Sequence, residues 1–316
     1  MKAIITAIVI CIASFILLNN SDAFSTDKKY TIVIHGGAGS MSTNMPDSLQ
    51  NAYKEYLTQA LNIGKSILEN GGTALDAVEK VVNYLEDNPN FNAGKGAVTT
   101  LEGVCELDAS IMSGKDLSAG AVAGVKHIKN PISLARLIME KSPHVMFAGA
   151  GAEKFAVNNG VKLVDQSYFE NPNKKPKDSS KGKGTVGCVA LDSYGNLAAA
   201  TSTGGMQDKM PGRVGDSPII NAGTYANNKT CAVSCTGHGE LFIKNTVAYN
   251  LSALMEFKGL SLTQAADEMI NKRLKSGDGG LIAVDKDGNY AITFNTTGMF
   301  HAVANSKGEF KVGIFK

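Results

Sequence analysis

Residues 171–192 read NPNKKPKDSSKGKGTVGCVALD, and two opposite compositions meet within this stretch. Residues 171–184 contain five Lys, one Asp and no large apolar side chain, a composition typical of a solvated, mobile segment. From Thr185 the chain becomes an apolar run of the kind that forms a buried strand. Because the composition already shifts at about Gln166, we interpret residues 166–184 as a mobile linker that runs directly into a core strand.

Strands and helices come in blocks on both sides of this junction. Helices are predicted at residues 48–68, 73–88, from 131 onward, 240–257 and 261–274, with Thr73 as the cap of the second and Asp76 as its acidic capping partner. Strands are predicted at residues 30–34, 105–112, 119–125, 185–192, 197–203 and 231–236, with closing hairpins at 281–295, around an Asp287-Gly288 turn, and at 299–314. Such blocks favour an α+β fold, with stacked sheets between helical layers, over a doubly wound parallel sheet.

The composition bounds the class of protein. With 316 residues, 43% of them hydrophobic and 19% charged, the chain is neither disordered nor fibrous. Its net charge of +2 gives no support for a nucleic-acid partner or an anionic membrane surface.

The N-terminus has the pattern of an export signal. Lys2 precedes a nearly continuous apolar run over residues 3–18, and the small residue Ala23 follows. This predicts a signal peptide over residues 1–23 and a secreted or periplasmic mature chain, residues 24–316. The alternative is an uncleaved membrane anchor, although the apolar run is short for a spanning helix.

The four cysteines of the mature chain show no disulfide framework. Cys231 and Cys235 lie four residues apart in a strand-like run, about 13 Å along one face, which is too far for a disulfide. We expect buried free thiols at these positions and at Cys105 and Cys188. The five histidines likewise show no metal-ligand spacing, and for each of them a structural role is the simpler interpretation.

The chemical signals are hydroxyl and charged residues in glycine-rich turns after residue 184. Threonine is ordinary in strands, so each one alone says little. The neighbouring glycines let a ligand approach the backbone and expose N–H groups that can stabilise an oxyanion. The residues in question are Thr185, Thr203, Arg213, Asp216, Thr236 and Gly237.

Eight motifs, in order along the chain, carry a resemblance to a known family. They are Ile34-His-Gly-Gly-Ala-Gly39, Gly72-Thr-Ala-Leu-Asp-Ala-Val78, Phe91-Asn-Ala-Gly94, Glu106-Leu-Asp-Ala109, Gly184-Thr-Val-Gly187, Thr201-Ser-Thr-Gly-Gly205, Pro211-Gly-Arg-Val-Gly-Asp-Ser-Pro218 and Ser234-Cys-Thr-Gly237. From Tyr30 to Ile314 the chain resembles the plant-type asparaginase/isoaspartyl peptidase family of N-terminal nucleophile hydrolases. The resemblance implies a four-layer αββα sandwich.

The resemblance also implies that the chain cuts itself before Thr185. Residues 24–184 would become an α subunit and residues 185–316 a β subunit, both within one domain. Such proteins associate as a homodimer of cleaved αβ heterodimers. Because Gly184 lacks a Cβ, its carbonyl is easily approached by the Thr185 hydroxyl.

Self-cleavage would supply the base that a threonine nucleophile needs. The new α-amine of Thr185 has an ordinary pKa of about 7.7–8.0, close to the working pH, and belongs to the same residue. By resemblance, Thr203 tunes the nucleophile, and the Thr236 hydroxyl and the Gly237 N–H form the oxyanion hole.

Arg213 and Asp216 match the family's substrate clamp. A β-aspartyl substrate carries a free α-carboxylate, which suits the Arg213 fork, and a free α-ammonium, which suits Asp216. Gly239 matches the wall of the acyl pocket, alongside Thr236 and Gly237. For an Arg and an Asp three residues apart, the simpler alternative is a surface salt bridge.

Residues 85–95 match a loop in which backbone carbonyls hold a structural Na⁺ or K⁺, and the reaction itself needs no cofactor. A plain turn at a helix C-terminus is the alternative. Asn92, within this loop, matches a residue that supports the surroundings of the nucleophile. The matching ligand positions are Leu85, Glu86, Asn88, Phe91, Ala93 and Lys95.

The function implied is hydrolysis of β-aspartyl amide bonds, in L-asparagine or in isoaspartyl dipeptides, with a small molecule or dipeptide as the partner. A glycosylasparaginase-type amidase is one alternative, although that branch usually has Asp before the nucleophile and this chain has Gly184. A secreted binding protein that kept the fold and lost catalysis is the other.

Overall fold

The computed structural model describes residues 29–169 and 184–316. Within them the helices are α1 (Asp47–Glu69), α2 (Ala74–Asp87), α3 (Pro131–Lys141), α4 (Gly149–Asn158), α5 (Gly239–Asn245), α6 (Val247–Lys258) and α7 (Leu262–Asp267). The strands are β1 (Thr31–Gly39), β2 (Leu107–Ser113), β3 (Ala119–Val125), β4 (Met146–Ala148), β5 (Val186–Leu191), β6 (Leu197–Thr203), β7 (Thr224–Ala226), β8 (Cys231–Gly237), β9 (Gly279–Asp285), β10 (Tyr290–Phe294), β11 (Gly298–Asn305) and β12 (Phe310–Gly313).

Two sheets contain these strands. The large sheet has the order β12-β11-β1-β5-β6-β2-β3-β4, and the small sheet has the order β10-β9-β8-β7. The pairs are antiparallel except β3 with β4, which run parallel. Strand β5, which begins directly after Thr185, therefore lies at the centre of the large sheet between β1 and β6.

Helices cover the outer face of each sheet. Helices α1, α2 and α3 pack on the large sheet, and α6 and α7 pack on the small one. One apolar cluster lies between α1–α3 and the large sheet, and a second fills the space between the sheets and beneath α5–α7. The layers are thus helix, sheet, sheet, helix, and the predicted α+β, four-layer αββα sandwich is confirmed.

Local chemistry places several of these boundaries. The Thr73 side chain accepts a hydrogen bond from the Asp76 N–H at 3.1 Å, which is the cap predicted for α2. The Asp287-Gly288 pair turns β9 into β10 as predicted. The cysteines Cys105, Cys188, Cys231 and Cys235 are buried and form no disulfide among the described residues, also as predicted.

Three boundaries differ from the prediction. Strand β1 continues through the glycine motif to Gly39, with a register shift between His35 and Gly37, instead of ending at residue 34. The helix predicted over residues 240–257 is two helices, because Thr246 adopts left-handed backbone angles (φ 45°). The helix predicted over 261–274 changes to π-helical geometry at Glu268–Arg273.

The predicted linker starts too early. Residues 166–169 form a 3₁₀ turn, the Gln166 amide bonds to the backbone of Cys105 and Lys126, and Phe169 is only 3% exposed. A buried phenylalanine and a satisfied amide anchor this segment to the core, so the polar stretch begins after residue 169. Residues 170–183, and the predicted signal peptide at 1–23, lie outside the described residues. Among the helices that are described, none is long and apolar enough to cross a membrane.

Candidate active site

Thr185 lies where the two ends of neighbouring strands meet. In the antiparallel β5–β6 pair, Val186 is opposite Ser202, so the residue before β5 lies beside the last residue of β6. The Thr185 hydroxyl donates to Thr203 Oγ1 at 3.1 Å, and Ser217 Oγ lies 3.5 Å away. Thr185 is 8% exposed, which makes it a mostly buried hydroxyl with one open side.

Thr203 is held by the turn that follows it. Its Oγ1 accepts the Gly205 N–H at 2.9 Å as well as the Thr185 hydroxyl. The predicted supporting residue Asn92 fixes this turn, because its amide donates to the Gly205 carbonyl at 2.7 Å and its backbone carbonyl accepts from the Gly204 N–H at 3.1 Å. Asn92 therefore acts at one remove, through the turn after Thr203.

Gly184 packs directly against the glycine motif of β1. A Cβ built at Gly184 would lie 2.6 Å from Gly37 Cα and 2.7 Å from the Ala38 nitrogen. Real Cβ atoms do not come so close to backbone, so only glycine fits on this side of the Gly184–Thr185 bond. The need for glycine before Thr185 thus has a steric basis in the fold.

Thr236 and Gly237 end strand β8 of the small sheet, facing the large sheet. Thr236 is completely buried, and its Oγ1 accepts the Ala38 N–H at 3.2 Å. That contact uses the oxygen as acceptor and does not use the Thr236 hydroxyl proton. Gly237 lines the same cavity as Thr185.

Arg213 is paired by a residue that the sequence reasoning missed. Its Nε and Nη2 donate to the two carboxylate oxygens of Glu240 at 2.9 and 3.0 Å. This fork-to-fork contact holds the guanidinium in one plane. Of the five N–H groups of the guanidinium, two are used by Glu240, which leaves three for a ligand.

Asp216 is a buried carboxylate with one oxygen unused. Within residues 29–169 and 184–316, its Oδ2 has no hydrogen-bond partner. Burial raises the pKa of Asp216 to about 7, while Arg213 lowers it. A desolvated acceptor of this kind favours a cationic partner. Gly239 leaves room beside it, since a Cβ there would lie 2.9 Å from Asp216 Oδ1 and from Arg213 Nη2.

One cavity of about 480 Å³ collects most of these groups. Thr236 and Gly239 lie behind its wall, and the loop at 85–95 is outside the lining. A nucleophilic hydroxyl, a cation and an anion thus face one small space. The predicted site residues that line the cavity are Gly184, Thr185, Thr203, Arg213, Asp216 and Gly237.

The loop at residues 85–95 begins where α2 ends at Asp87. Pro89 has no N–H to give the carbonyl of Leu85, and the Asn90 N–H donates to Asn88 Oδ1 at 3.0 Å instead of to the carbonyl of Glu86. The last-turn carbonyls thus lack their usual helical donors and carry the negative end of the helix dipole. Carbonyl oxygens in this arrangement are suitable ligands for a hard alkali cation.

The Glu86 side chain is committed elsewhere. It is fully buried and accepts from Ser202 Oγ at 2.7 Å and from the Ile132 N–H at 2.9 Å. Burial raises its pKa to about 8, against the effect of these hydrogen bonds. Only the backbone carbonyl of Glu86 is therefore free to face an ion. Across the described chain, no group of three or more His, Cys, Asp or Glu side chains could hold a metal.

Three contacts of the site had no assigned role at the sequence level: Glu240 on Arg213, Ser217 near Thr185, and His35, whose Nδ1 lies 2.9 Å from the Thr185 carbonyl oxygen. Ser217 belongs to a quoted motif, and Glu240 lies three residues after the motif that ends at Gly237, so proximity to a motif is the available signal. The sequence predicts a structural role for His35. In the structure, the group that His35 contacts is the backbone carbonyl of Thr185 itself.

Comparison with known proteins agrees with this geometry. A family model described as "Asparaginase" matches residues 28–177 and 169–314. The chain is similar to the isoaspartyl peptidase of Escherichia coli, with 47% identity over 91% of this chain and 97% of that protein. It is also similar to the isoaspartyl peptidase of Salmonella typhimurium, at 46% identity over 91% of this chain and 99% of that protein.

The similarity extends to animal proteins. The human isoaspartyl peptidase/L-asparaginase is 44% identical over 90% of this chain and 95% of its own length. The residues matched by the family model cover both sheets and every residue that lines the cavity. The chain therefore belongs to the asparaginase family of N-terminal nucleophile hydrolases.

Proposed function

We propose that this protein hydrolyses β-aspartyl amide bonds, releasing aspartate and an amino acid from isoaspartyl dipeptides, or aspartate and ammonia from L-asparagine. The observation that carries the proposal is that Thr185, Arg213 and Asp216 line one cavity. The charged pair fits the free α-carboxylate and α-ammonium of a β-aspartyl group, and the hydroxyl faces the space where its side-chain carbonyl would lie.

A pair of isomeric dipeptides tests the proposal. β-Asp-Leu has a free α-carboxylate on its aspartyl residue, whereas in α-Asp-Leu the α-carboxyl group forms the peptide bond to leucine. We expect leucine release from the first and none from the second, with ammonia release from L-asparagine. Faster cleavage of a glycosylated asparagine would favour the glycosylasparaginase alternative, and binding without turnover would favour the silent binding protein.

Maturation by self-cleavage is part of the proposal. Thr185 Oγ attacks the Gly184 carbonyl carbon, the C–N bond between the two residues breaks, and the nitrogen takes up a proton. Water then hydrolyses the resulting ester and leaves a Gly184 carboxylate and a free Thr185 α-amine. Support comes from the family membership and from the Gly184 contact with Gly37 and Ala38, which allows only glycine before the nucleophile.

In turnover the free α-amine takes the proton from Thr185 Oγ, which attacks the side-chain carbonyl of the substrate. The Thr236 hydroxyl and the Gly237 N–H receive the developing negative charge, and one such donor is typically worth about 3 kcal/mol. The leaving amine takes a proton as the C–N bond breaks, and water hydrolyses the acyl-enzyme ester. Arg213 and Asp216 hold the aspartyl group throughout.

We also propose that the loop at 85–95 holds a structural Na⁺ or K⁺ through the carbonyls of Leu85, Glu86, Asn88, Phe91, Ala93 and Lys95. The carbonyls of Asn88 and Ala93 already accept one N–H each and keep a second lone pair. Bound to this loop, the ion would neutralise the carbonyl dipoles at the end of α2.

Replacing Na⁺ by choline at constant ionic strength should lower the melting temperature in a way that millimolar NaCl or KCl reverses, since an ion that binds only the folded state stabilises it. The control is LiCl or tetramethylammonium at the same concentration, which separates site binding from screening. Identical melting temperatures in all four salts would contradict the ion site.

Export and assembly complete the proposal. Residues 1–23 direct the chain out of the cytoplasm, and the mature protein is a homodimer of αβ heterodimers. The apolar run after Lys2 supports the first statement, and the family supports the second. Fractionation of tagged protein and light scattering of the mature form test them, and cytoplasmic protein starting at Met1, or a single αβ unit in solution, would contradict them.

A further inference from the structure

A chain of hydroxyl groups is buried between the two sheets beside Thr185. Ser110, Thr201, Thr224 and Ser234 are each completely buried. Thr201 Oγ1 lies 2.7 Å from Ser234 Oγ, Thr224 Oγ1 lies 2.6 Å from Thr201 Oγ1, and Ser110 Oγ lies 2.8 Å from Thr224 Oγ1. Buried hydroxyls cost stability unless they are hydrogen-bonded, so a connected set in a sandwich core needs an explanation beyond packing.

Both ends of this chain reach Thr185. At one end, Ser234 Oγ lies 2.9 Å from His35 Nε2, and His35 Nδ1 lies 2.9 Å from the Thr185 carbonyl oxygen. At the other end, the Ser110 hydroxyl donates to the Ser217 carbonyl at 2.6 Å, and Ser217 Oγ is 3.5 Å from Thr185 Oγ1. The nucleophile's carbonyl and hydroxyl are thus contacted by the two ends of a single network.

From Thr224 to His35 the hydrogen bonds of the network run in one direction. A carbonyl oxygen only accepts, so the His35 proton is on Nδ1 and Nε2 accepts from Ser234. Burial lowers the pKa of His35 to about 3, which keeps the ring neutral. Ser234 then accepts from Thr201, and Thr201 accepts from Thr224. The single Ser110 proton is shared between the Ser217 carbonyl and Thr224 Oγ1, so the one-way series of donors extends from Thr224 to His35.

Every side-chain contact in the series crosses the gap between the sheets. His35, Thr201 and Ser110 belong to β1, β6 and β2 of the large sheet, whereas Ser234 and Thr224 belong to β8 and β7 of the small sheet. Apolar packing between sheets is non-directional. The hydrogen bonds between the sheets instead specify how far one sheet is displaced along the other. We call this set of five residues the hydroxyl zipper: His35, Ser234, Thr201, Thr224 and Ser110.

The catalytic groups are divided between the same two sheets. Thr185 begins β5 of the large sheet, whereas Thr236 lies two residues after Ser234 on the same face of β8 in the small sheet. We propose that the hydroxyl zipper is a positioning device that fixes Thr236 of one sheet against Thr185 of the other. This inference rests on the proposed function, in which these two residues supply an oxyanion donor and the nucleophile.

The strand between His35 and Ser234 is shaped for this contact. A Cβ on Gly187 of β5 would overlap both Ser234 Oγ and His35 Nε2, so the hydrogen bond exists because residue 187 is glycine. The contact also outlasts maturation. Self-cleavage breaks the bond on the N-terminal side of Thr185 and leaves the carbonyl that His35 holds unchanged.

The test uses Thr201, the middle of the zipper, which touches no substrate. Thr201→Val keeps the shape and removes the hydroxyl, and Thr201→Ser keeps the hydroxyl and removes a methyl group. With β-Asp-Leu as substrate, we expect Thr201→Val to lower kcat by about 10- to 100-fold with KM changed less than about three-fold, because small misplacements of reacting groups act on the chemical step. Thr201→Ser should recover most of kcat.

Ser252→Ala is the matched control. Ser252 Oγ and Thr230 Oγ1 form another buried hydroxyl pair, 2.6 Å apart and outside the zipper. This variant should lose thermal stability to a similar extent as Thr201→Val and keep the wild-type kcat. Ser234→Ala removes the next hydroxyl and serves if Thr201→Val does not fold. Slower self-cleavage of a folded zipper variant also supports the proposal, because Thr185 performs both steps.

A wild-type kcat in Thr201→Val or Ser234→Ala would overturn the positioning role, and so would an equal loss of kcat in Ser252→Ala. Wild-type protein is assayed first. If it does not release leucine from β-Asp-Leu, the proposed function itself fails, whereas an active wild type with active zipper variants rejects the zipper alone.

Discussion

Replacing Thr185 by Ala is expected to leave a single uncut chain with no hydrolase activity. The Thr185 hydroxyl is the group that both attacks the Gly184 carbonyl and later forms the acyl-enzyme, so its removal eliminates both reactions. The wild type should give two chains, the second running from Thr185 to Lys316. Intact mass and N-terminal sequencing of each band measure the outcome.

The neighbouring hydroxyls define the controls for this experiment. Ser217 Oγ is only 3.5 Å from Thr185 Oγ1, so a substitute nucleophile is close at hand. It belongs to a different segment of the chain, however, and has no α-amine to act as its base. Thr185→Ser keeps the hydroxyl and should still mature. Two chains in Thr185→Ala, with the cut before residue 185, would remove Thr185 from the role of nucleophile.

Local signals predicted much of the fold from the sequence. The Thr73–Asp76 cap, the Asp287-Gly288 turn and the apolar run of β5 each rest on neighbours in the chain, and the structure confirms them. Thr246 shows the limit of such signals. Threonine rarely adopts left-handed backbone angles, and the break it makes between α5 and α6 reflects tertiary packing that no local pattern encodes.

The site could be predicted only as separate motifs. Thr203 reaches Thr185 because β5 and β6 are antiparallel neighbours, and Thr236 approaches from the other sheet. Neither contact can be derived from the spacing of residues along the chain, so only the family resemblance predicted that these residues form one site. Glu240 was missed because its role depends on Arg213, which lies 27 residues away in the chain. For His35 the sequence indicates only a structural role, because a lone histidine in a strand has no sequence signature of its partner.

Arg213 provides the second large expected effect, and it separates maturation from turnover. Self-cleavage is intramolecular and involves no free α-carboxylate, so the guanidinium should matter little to it. Substrate turnover depends on the guanidinium, because the aspartyl group is small and has few other handles. We expect Arg213→Ala to be cut normally and to lose about 30-fold or more in kcat/KM for L-asparagine and β-Asp-Leu.

Because Glu240 already uses part of the Arg213 side chain, Arg213→Lys is a more specific test than Arg213→Ala. Arg213 uses two N–H groups on Glu240 and keeps three, enough for a two-pronged contact with a carboxylate. A lysine ammonium has three donors in all and no planar fork, so it would have to divide them between Glu240 and the substrate. Arg213→Lys should therefore fall between the wild type and Arg213→Ala, with the loss mainly in KM.

The measurement pairs gel analysis of maturation with ammonia or leucine release. Arg273→Ala is the control for the loss of one positive charge, since Arg273 is exposed and its ion pair among the described residues is a long one, 3.9 Å, to Glu268. Near-normal turnover in Arg213→Ala would remove Arg213 from the site. It would also remove Asp216 from the site. Among the described residues, the Oδ2 of this buried carboxylate has no hydrogen-bond partner, and a substrate ammonium accounts for that only if Arg213 holds the same aspartyl group. Failure of Arg213→Ala to mature would instead place the guanidinium in the support of Thr185.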